Sequence, residues 1–213
     1  MSRGSVQLTE ARKSEIIEAC SRLYREKSFK EIKLQDIADA TTLTRTALYK
    51  YYRTKEEIFL GLLQREYEKW NESLLAILNE NDSLTKEELA RAVSRSLEER
   101  IQLLKIMSMN NFELEEQSRF ERVVEYKKAL GDSMKIMRRI LDKFCADLSE
   151  EQKEKFIYTF FPFTFGLYPY TNLNEKAVKA MEEADVGFHY YSIYQLSYDC
   201  ITALLNGGFP GES

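Results

Sequence analysis

Arg45, Lys50, Arg53 and Lys55 fall within eleven residues, with Tyr49, Tyr51 and Tyr52 interleaved among them. Four cations at that density, with hydroxyl-bearing aromatics between them, suit an anionic partner. A guanidinium donates in a fork, an ammonium acts as a point charge, and a phenol adds a hydrogen bond. The chain as a whole is acidic, with a formal net charge of −4. Residues 1–55 carry 12 Lys and Arg against 7 Asp and Glu, while the remainder carries 19 against 28. Positive charge is therefore gathered in one short region, which marks a reserved surface.

Other chemistries find little footing. No glycine-rich phosphate loop, paired-histidine metal motif or nucleophile elbow is present. His189 is the only histidine, so a metal site is not expected, nor any cofactor, and the chain does not read as an enzyme. Cys20, Cys145 and Cys200 are odd in number and far apart, which suits buried thiols in a reducing compartment rather than a disulfide framework. No run of apolar residues is long enough for a membrane span or a secretory signal. A cytoplasmic protein is expected.

The elements that must hold the basic stretch read as helices. With 3 prolines and 8 glycines in 213 residues, turn punctuation is scarce and an all-α chain fits best. Ile16, Ile17, Cys20, Leu23 and Tyr24 keep helical period. Leu34, Ile37 and Ala38 mark a short second helix. Thr44 caps a third, with Ala47, Leu48 and Tyr51 or Tyr52 turned inward. Thr54 and Glu57 form a capping box that opens a long fourth helix through Trp70 to about Leu78. Thr85, Ser149, Asn174 and Asp185 are expected to cap later helices, and Gly207-Gly208 to end the last.

Two short helices joined by a tight turn form a helix-turn-helix, whose second helix enters the major groove of duplex DNA. Thr44, Arg45, Thr46, Tyr49 and Lys50 are placed to point outward. Arg45 suits a guanine edge, Tyr49, Lys50 and Tyr51 suit phosphates, and Lys55 suits a phosphate at the start of the fourth helix.

These residues carry a resemblance. Ile37-Ala38, Leu48-Tyr49-Lys50-Tyr51-Tyr52 and Arg53-Thr54-Lys55-Glu56-Glu57-Ile58-Phe59 are similar to the DNA-binding domain of the TetR/AcrR family of bacterial transcriptional regulators. The likeness runs from about Arg12 to Trp70. It implies a three-helix DNA-binding bundle at residues 1–55 and a larger helical effector-binding and dimerisation domain at 56–213. It also implies a homodimer on double-stranded operator DNA, commonly as a repressor released by ligand. Thr41-Thr42 stand where the family usually has Ala-Gly, so a strained or altered turn is expected there. Ser28, Lys33 and Thr46 also depart from the common pattern.

Beyond this domain, residues 156–170 and 188–198 hold half of the 26 aromatic residues. They suit either a dimer core or a pocket lining. Phe156, Phe160, Tyr190, Tyr194 and Tyr198 are the candidates for dimerisation, in helices starting near Ser149 and Asp185. Pro162 should bend its helix or free a carbonyl. Trp70, Met107, Met109, Phe112, Tyr126, Phe163 and Tyr168 are the candidates for an effector site. Their chemistry suits a small apolar or aromatic ligand, although core packing is the plainer reading of the methionines. The alternative is a regulator of the same fold, or an activator, controlled by a protein partner without a small ligand.

Overall fold

The computed structural model describes residues 3–109 and 111–207. Among them, helices follow one another without a strand: α1 (Arg3–Glu26), α2 (Leu34–Asp39), α3 (Arg45–Leu48), α4 (Lys55–Glu80), α5 (Lys86–Glu98), α6 (Ile101–Met107), α7 (Asn111–Glu116), α8 (Phe120–Phe144), α9 (Glu150–Thr171), α10 (Glu175–Glu183) and α11 (Ile193–Leu205). The chain is all-α, as its composition predicts. No helix among the described residues is long and apolar enough to cross a membrane. Two compact units form, one from Met1–Glu66 with Asn110–Leu130, the other from Tyr67–Met109 with Gly131–Ser213. The long helices α4 and α8 each contribute residues to both.

In the first unit, the expected apolar faces meet. Ile16, Cys20, Ile37, Leu48, Ile58 and Phe59 are completely buried, each burial of a Leu- or Ile-sized side chain being worth about 1.5–3 kcal/mol. The Phe59 ring takes the edges or faces of Tyr24 and Phe29 at 5.0 and 4.7 Å, close to perpendicular. Gly61 lets α4 approach closely: a Cβ there would stand 2.7 Å from the Ile17 Cδ1. At the start of α4, Thr54 Oγ1 accepts from the Glu57 N–H at 3.1 Å. The reciprocal half of the expected capping box is missing, because the Glu57 carboxylate accepts from the Arg53 N–H instead, at 2.8 Å.

The second unit packs the apolar stripe of α5, Leu89, Ala90, Val93 and Leu97, against α11, whose Ile201 and Leu205 are fully buried. α9 lies against α6 and α11. The caps at Thr85, Ser149 and Asn174 are formed as expected. Asp185 is not a cap. The Val186 N–H reaches the Met181 carbonyl at 3.1 Å and the Asp185 N–H reaches that of Glu182 at 3.2 Å, a Schellman closure of α10. Asp185 takes the left-handed position of that motif, with φ 50°. α11 begins eight residues later, capped by Ser192 in a box with Gln195. Pro162 and Pro169 both lie inside α9, where neither can donate to the carbonyl four residues earlier.

Candidate nucleic-acid interface

The short helix α3 is built from its ends inward. Thr44 Oγ1 accepts from the Ala47 N–H at 3.2 Å, and the following turn closes through Lys50, Tyr51 and Tyr52 N–H groups to the carbonyls of Ala47 and Leu48. Leu48 and Tyr52 are buried, at 0% and 3% exposure, and fix which side faces in. That leaves Thr44, Arg45, Thr46, Tyr49 and Lys50 exposed on the other side, joined by Arg53 just beyond. Arg45 is already steered: its Nη2 donates to the Tyr49 hydroxyl at 3.3 Å and its guanidinium stands 5.9 Å from that ring's centre. The arrangement presents hydroxyls, a guanidinium and an ammonium along one narrow helix, the donor set that reads base edges and phosphates.

The turn between α2 and α3 is not strained. Asp185 is the one non-glycine with positive φ among the described residues, so neither Thr41 nor Thr42 adopts the glycine-like conformation. The threonines hold the turn with their side chains instead. Thr41 Oγ1 donates to the Ala38 carbonyl at 2.8 Å. The Thr42 N–H and hydroxyl both donate to Glu15 Oε1, at 2.6 and 2.7 Å, while Arg12 Nη1 bridges Glu15 Oε2 and Thr42 Oγ1 at 2.8 Å each. The Thr42 backbone N–H, then its hydroxyl and Arg12, hold the Glu15 carboxyl down at about 2. Nothing in the local sequence announces this latch, because its partners lie 27 residues apart.

Lys55 and Tyr51, read in the sequence as suited to phosphates, are placed differently from the exposed residues of α3. The Lys55 ammonium donates to the Phe29 and Ile32 carbonyls at 2.8 and 3.1 Å and lies 3.9 Å from the Phe29 ring centre. It closes the end of the α1–α2 connection rather than standing free in solvent. Tyr51 is half-buried, and its carbonyl accepts from Arg119 at 3.1 Å. Arg119 also grips Glu57, which is fully buried. Burial alone would raise the Glu57 carboxyl, but the bonds from Arg119 and Arg53 outweigh it and hold it below the usual range.

The remaining candidates separate. Trp70 and Met107 are buried, and Met109, Phe163 and Tyr168 half-buried, all within the second unit. Trp70 is a satisfied core residue, its Nε1 donating to Ser96 Oγ at 3.0 Å and its ring 5.7 Å from that of Phe161. Phe112 and Tyr126 belong to the first unit. Phe112 is 80% exposed, whereas Tyr126 is buried and accepts from Lys127. Of the dimer candidates, Phe156 and Phe160 lie in the interior, 2% and 0% exposed, where a partner copy cannot reach them. Their ring pair, 5.5 Å apart, fills the core beneath α9. Tyr190 is 61% exposed, and Tyr194 and Tyr198 are half-buried with rings stacked at 5.8 Å.

Comparison with known proteins supplies independent findings. Residues 16–62 match the family described as bacterial regulatory proteins, tetR family. Residues 64–208 match the tetracyclin repressor-like C-terminal domain. None of the curated protein sequences matches the chain. The structure is similar to that of a TetR/AcrR-family transcriptional regulator from Thermobifida fusca, at 21% identity and TM-score 0.62, covering 94% of this chain and 100% of that one. It is also similar to the transcriptional regulator FadR from Bacillus subtilis in complex with stearoyl-CoA, at 16% identity and TM-score 0.60, covering 91% and 98%. A superantigen, pfit, shares the fold as well, at 13% identity and TM-score 0.53 with 89% and 86% covered. At such identities the structural likeness establishes fold, and function rests on sites.

Proposed function

The chain belongs to the tetR family of bacterial regulatory proteins, and from that premise we propose that it is a homodimeric repressor of transcription in the cytoplasm. It leaves an inverted-repeat operator when a small apolar or aromatic effector binds. The observation that carries this reading is the exposed face of α3, Thr44, Arg45, Thr46, Tyr49 and Lys50, backed by buried Leu48 and Tyr52. The reading domain is assigned to residues 1–55, with Tyr51 and Lys55 at its margin. Lys55 then acts through the connection it closes, and the backbone N–H groups at the start of α4 meet the phosphate. One helix of this length reads few base pairs, so two copies are required, with half-sites about 34–36 Å or a multiple apart. The dimer surface is assigned to Tyr190, Tyr194 and Tyr198 together with Tyr158, which is 65% exposed on α9.

The effector site is proposed in residues 56–213, among Trp70, Met107, Met109, Phe163 and Tyr168. Stearoyl-CoA in the Bacillus subtilis FadR makes a long acyl chain a sensible ligand to include beside aromatic ones. Coupling of about 1–3 kcal/mol would lower operator affinity roughly 5–150-fold, and operator DNA must weaken ligand binding by the same factor. Ligand titrated into the free protein and into its operator complex tests this directly; equal affinities end the allosteric reading. Phe112 and Phe120, 80% and 77% exposed, favour a second reading in which a protein partner supplies the signal. Thermal shifts with apolar and aromatic compounds separate the two, and a promoter-fusion assay decides between repression and activation.

A further inference from the structure

Residues 110–130 fall inside the stretch that matches the C-terminal domain, yet they cluster with the DNA-reading elements. One side chain accounts for much of that attachment. Arg119, just before α8, closes a fork on the Glu57 carboxylate, with Nε to Oε1 at 2.6 Å and Nη2 to Oε2 at 2.8 Å, while its backbone N–H adds a bond to Oε1 at 3.1 Å. The same Nη2 donates to the Tyr51 carbonyl at 3.1 Å, and Arg122 Nη2 approaches that oxygen at 3.4 Å. Thr54 Oγ1 donates to the Gln117 carbonyl at 3.1 Å from the other side of the junction. Tyr51 lies three residues past the end of α3, and Glu57 lies in the first turn of α4. A single guanidinium therefore ties the exit of the reading helix to the helix that follows it.

We propose that Arg119 is a positioning residue for DNA recognition, setting the angle at which α3 is presented without touching DNA itself. The inference rests on the DNA-binding reading above for its consequence, but not for the tie. Short helices need such fixing. α3 spans four residues and cannot hold its orientation by its own hydrogen bonds. A bidentate guanidinium–carboxylate pair whose acid is buried is geometrically demanding, so it selects one arrangement of the junction. The carbonyl of Tyr51, in the turn that closes after α3, takes the second N–H of Nη2. Arg119 also stands at the entrance of α8, the helix that runs on to Phe144 and contributes to both units. Any displacement of the first turn of α8 is thereby felt at Tyr51.

Two variants separate positioning from fold loss. Arg119→Lys keeps the charge and loses the fork. Glu57→Gln combined with Arg119→Gln removes both charges, avoids a buried lone carboxylate and loses the charged tie to Tyr51. Amide hydrogen exchange on the free proteins is the first readout. Exchange at Leu48–Tyr52 should quicken at least tenfold in the double variant, less in Arg119→Lys, with α9 and α11 unchanged. Unchanged exchange at Leu48–Tyr52 overturns the tie. The second readout is binding to a selected operator and to a random duplex over a series of salt concentrations. Operator affinity should fall tenfold or more in the double variant, with random-duplex affinity within twofold and the salt slope unaltered. A slope reduced by about one would make Arg119 a phosphate contact and overturn the positioning role, as would equal losses on both duplexes. Wild-type protein with no preference for any duplex would instead remove the DNA-binding reading, leaving the exchange experiment to decide the tie.

Discussion

Arg45 and Lys50 stand on the same exposed face but should fail differently. Arg45→Ala removes a fork suited to a base edge, so discrimination at one base pair should fall by roughly 1–3 kcal/mol. Lys50→Ala removes a point charge, so binding to every sequence should weaken and the slope of log affinity against log salt should drop by about one. Anisotropy titrations on matched and mismatched duplexes distinguish them, and a uniform loss for Arg45→Ala takes it out of base reading. Glu15 makes a prediction about pH. Its folded value, about 2, lies below its ordinary 4.5, chiefly through the Thr42 N–H. A carboxyl depressed in the folded state stabilises fully above its unfolded value and loses that contribution as the pH falls from 4.5 toward 2. Urea midpoints of wild type and Glu15→Gln should therefore differ at neutral pH and converge in acid; a constant difference would contradict the latch. The type and exposure of the α3 residues were legible from the sequence, since a short amphipathic helix has one polar side. The latch was not, because Arg12, Glu15 and Thr42 meet only once α1 and the turn are packed. Lys55 shows the same limit: a lysine in a basic cluster reads as a free cation until nearby carbonyls claim it.

Helix starts proved the most readable feature wherever a cap chemistry has one meaning. Thr85, Ser149 and Asn174 sit before acid-rich or amide-bearing first turns and cap as expected. Asp185 misleads because aspartate serves both as an N-cap and in the left-handed position that ends a helix. The true start of α11 was written as Ser192 followed three residues later by Gln195, hidden inside an aromatic run. Ser192→Ala should cost about 0.5–2 kcal/mol, as loss of an N-cap does. Asp185→Gly, which keeps the left-handed turn, should cost far less. Denaturation midpoints of the two variants check this, and a reversed order would return the cap to Asp185. The proline and aromatic content of α9 likewise left its faces ambiguous. Spacing marks Phe156 and Phe160 as one stripe, but only packing shows that the stripe faces inward while Tyr158 faces solvent.

For the molecule as a whole, the division of charge was the earliest sign of two tasks, and it survives in the fold as the exposed Arg45, Lys50 and Arg53 on an otherwise acidic chain. The fold class and the family were legible because helical period and the α3–α4 motif are local. The partition into units was less so: Phe112 and Tyr126 looked like companions of Trp70, but they belong to the unit that carries α3. Dimerisation through Tyr158 on α9, Tyr194 and Tyr198 on α11 and Tyr190 before it predicts a mass of twice 25.1 kDa in sedimentation at micromolar concentration. Tyr158→Glu combined with Tyr194→Glu should shift it to monomer, and a wild-type monomer would remove the two-fold reading. The central claim is that the exposed face of α3 reads DNA, and selection of duplexes from a random pool tests it most directly. The account predicts that wild-type protein enriches an inverted repeat with half-sites on one face of the duplex, and that Arg45→Ala enriches the same repeat with one position relaxed in each half-site. Enrichment of no common sequence by the wild type, or of an identical unrelaxed repeat by Arg45→Ala, would contradict it.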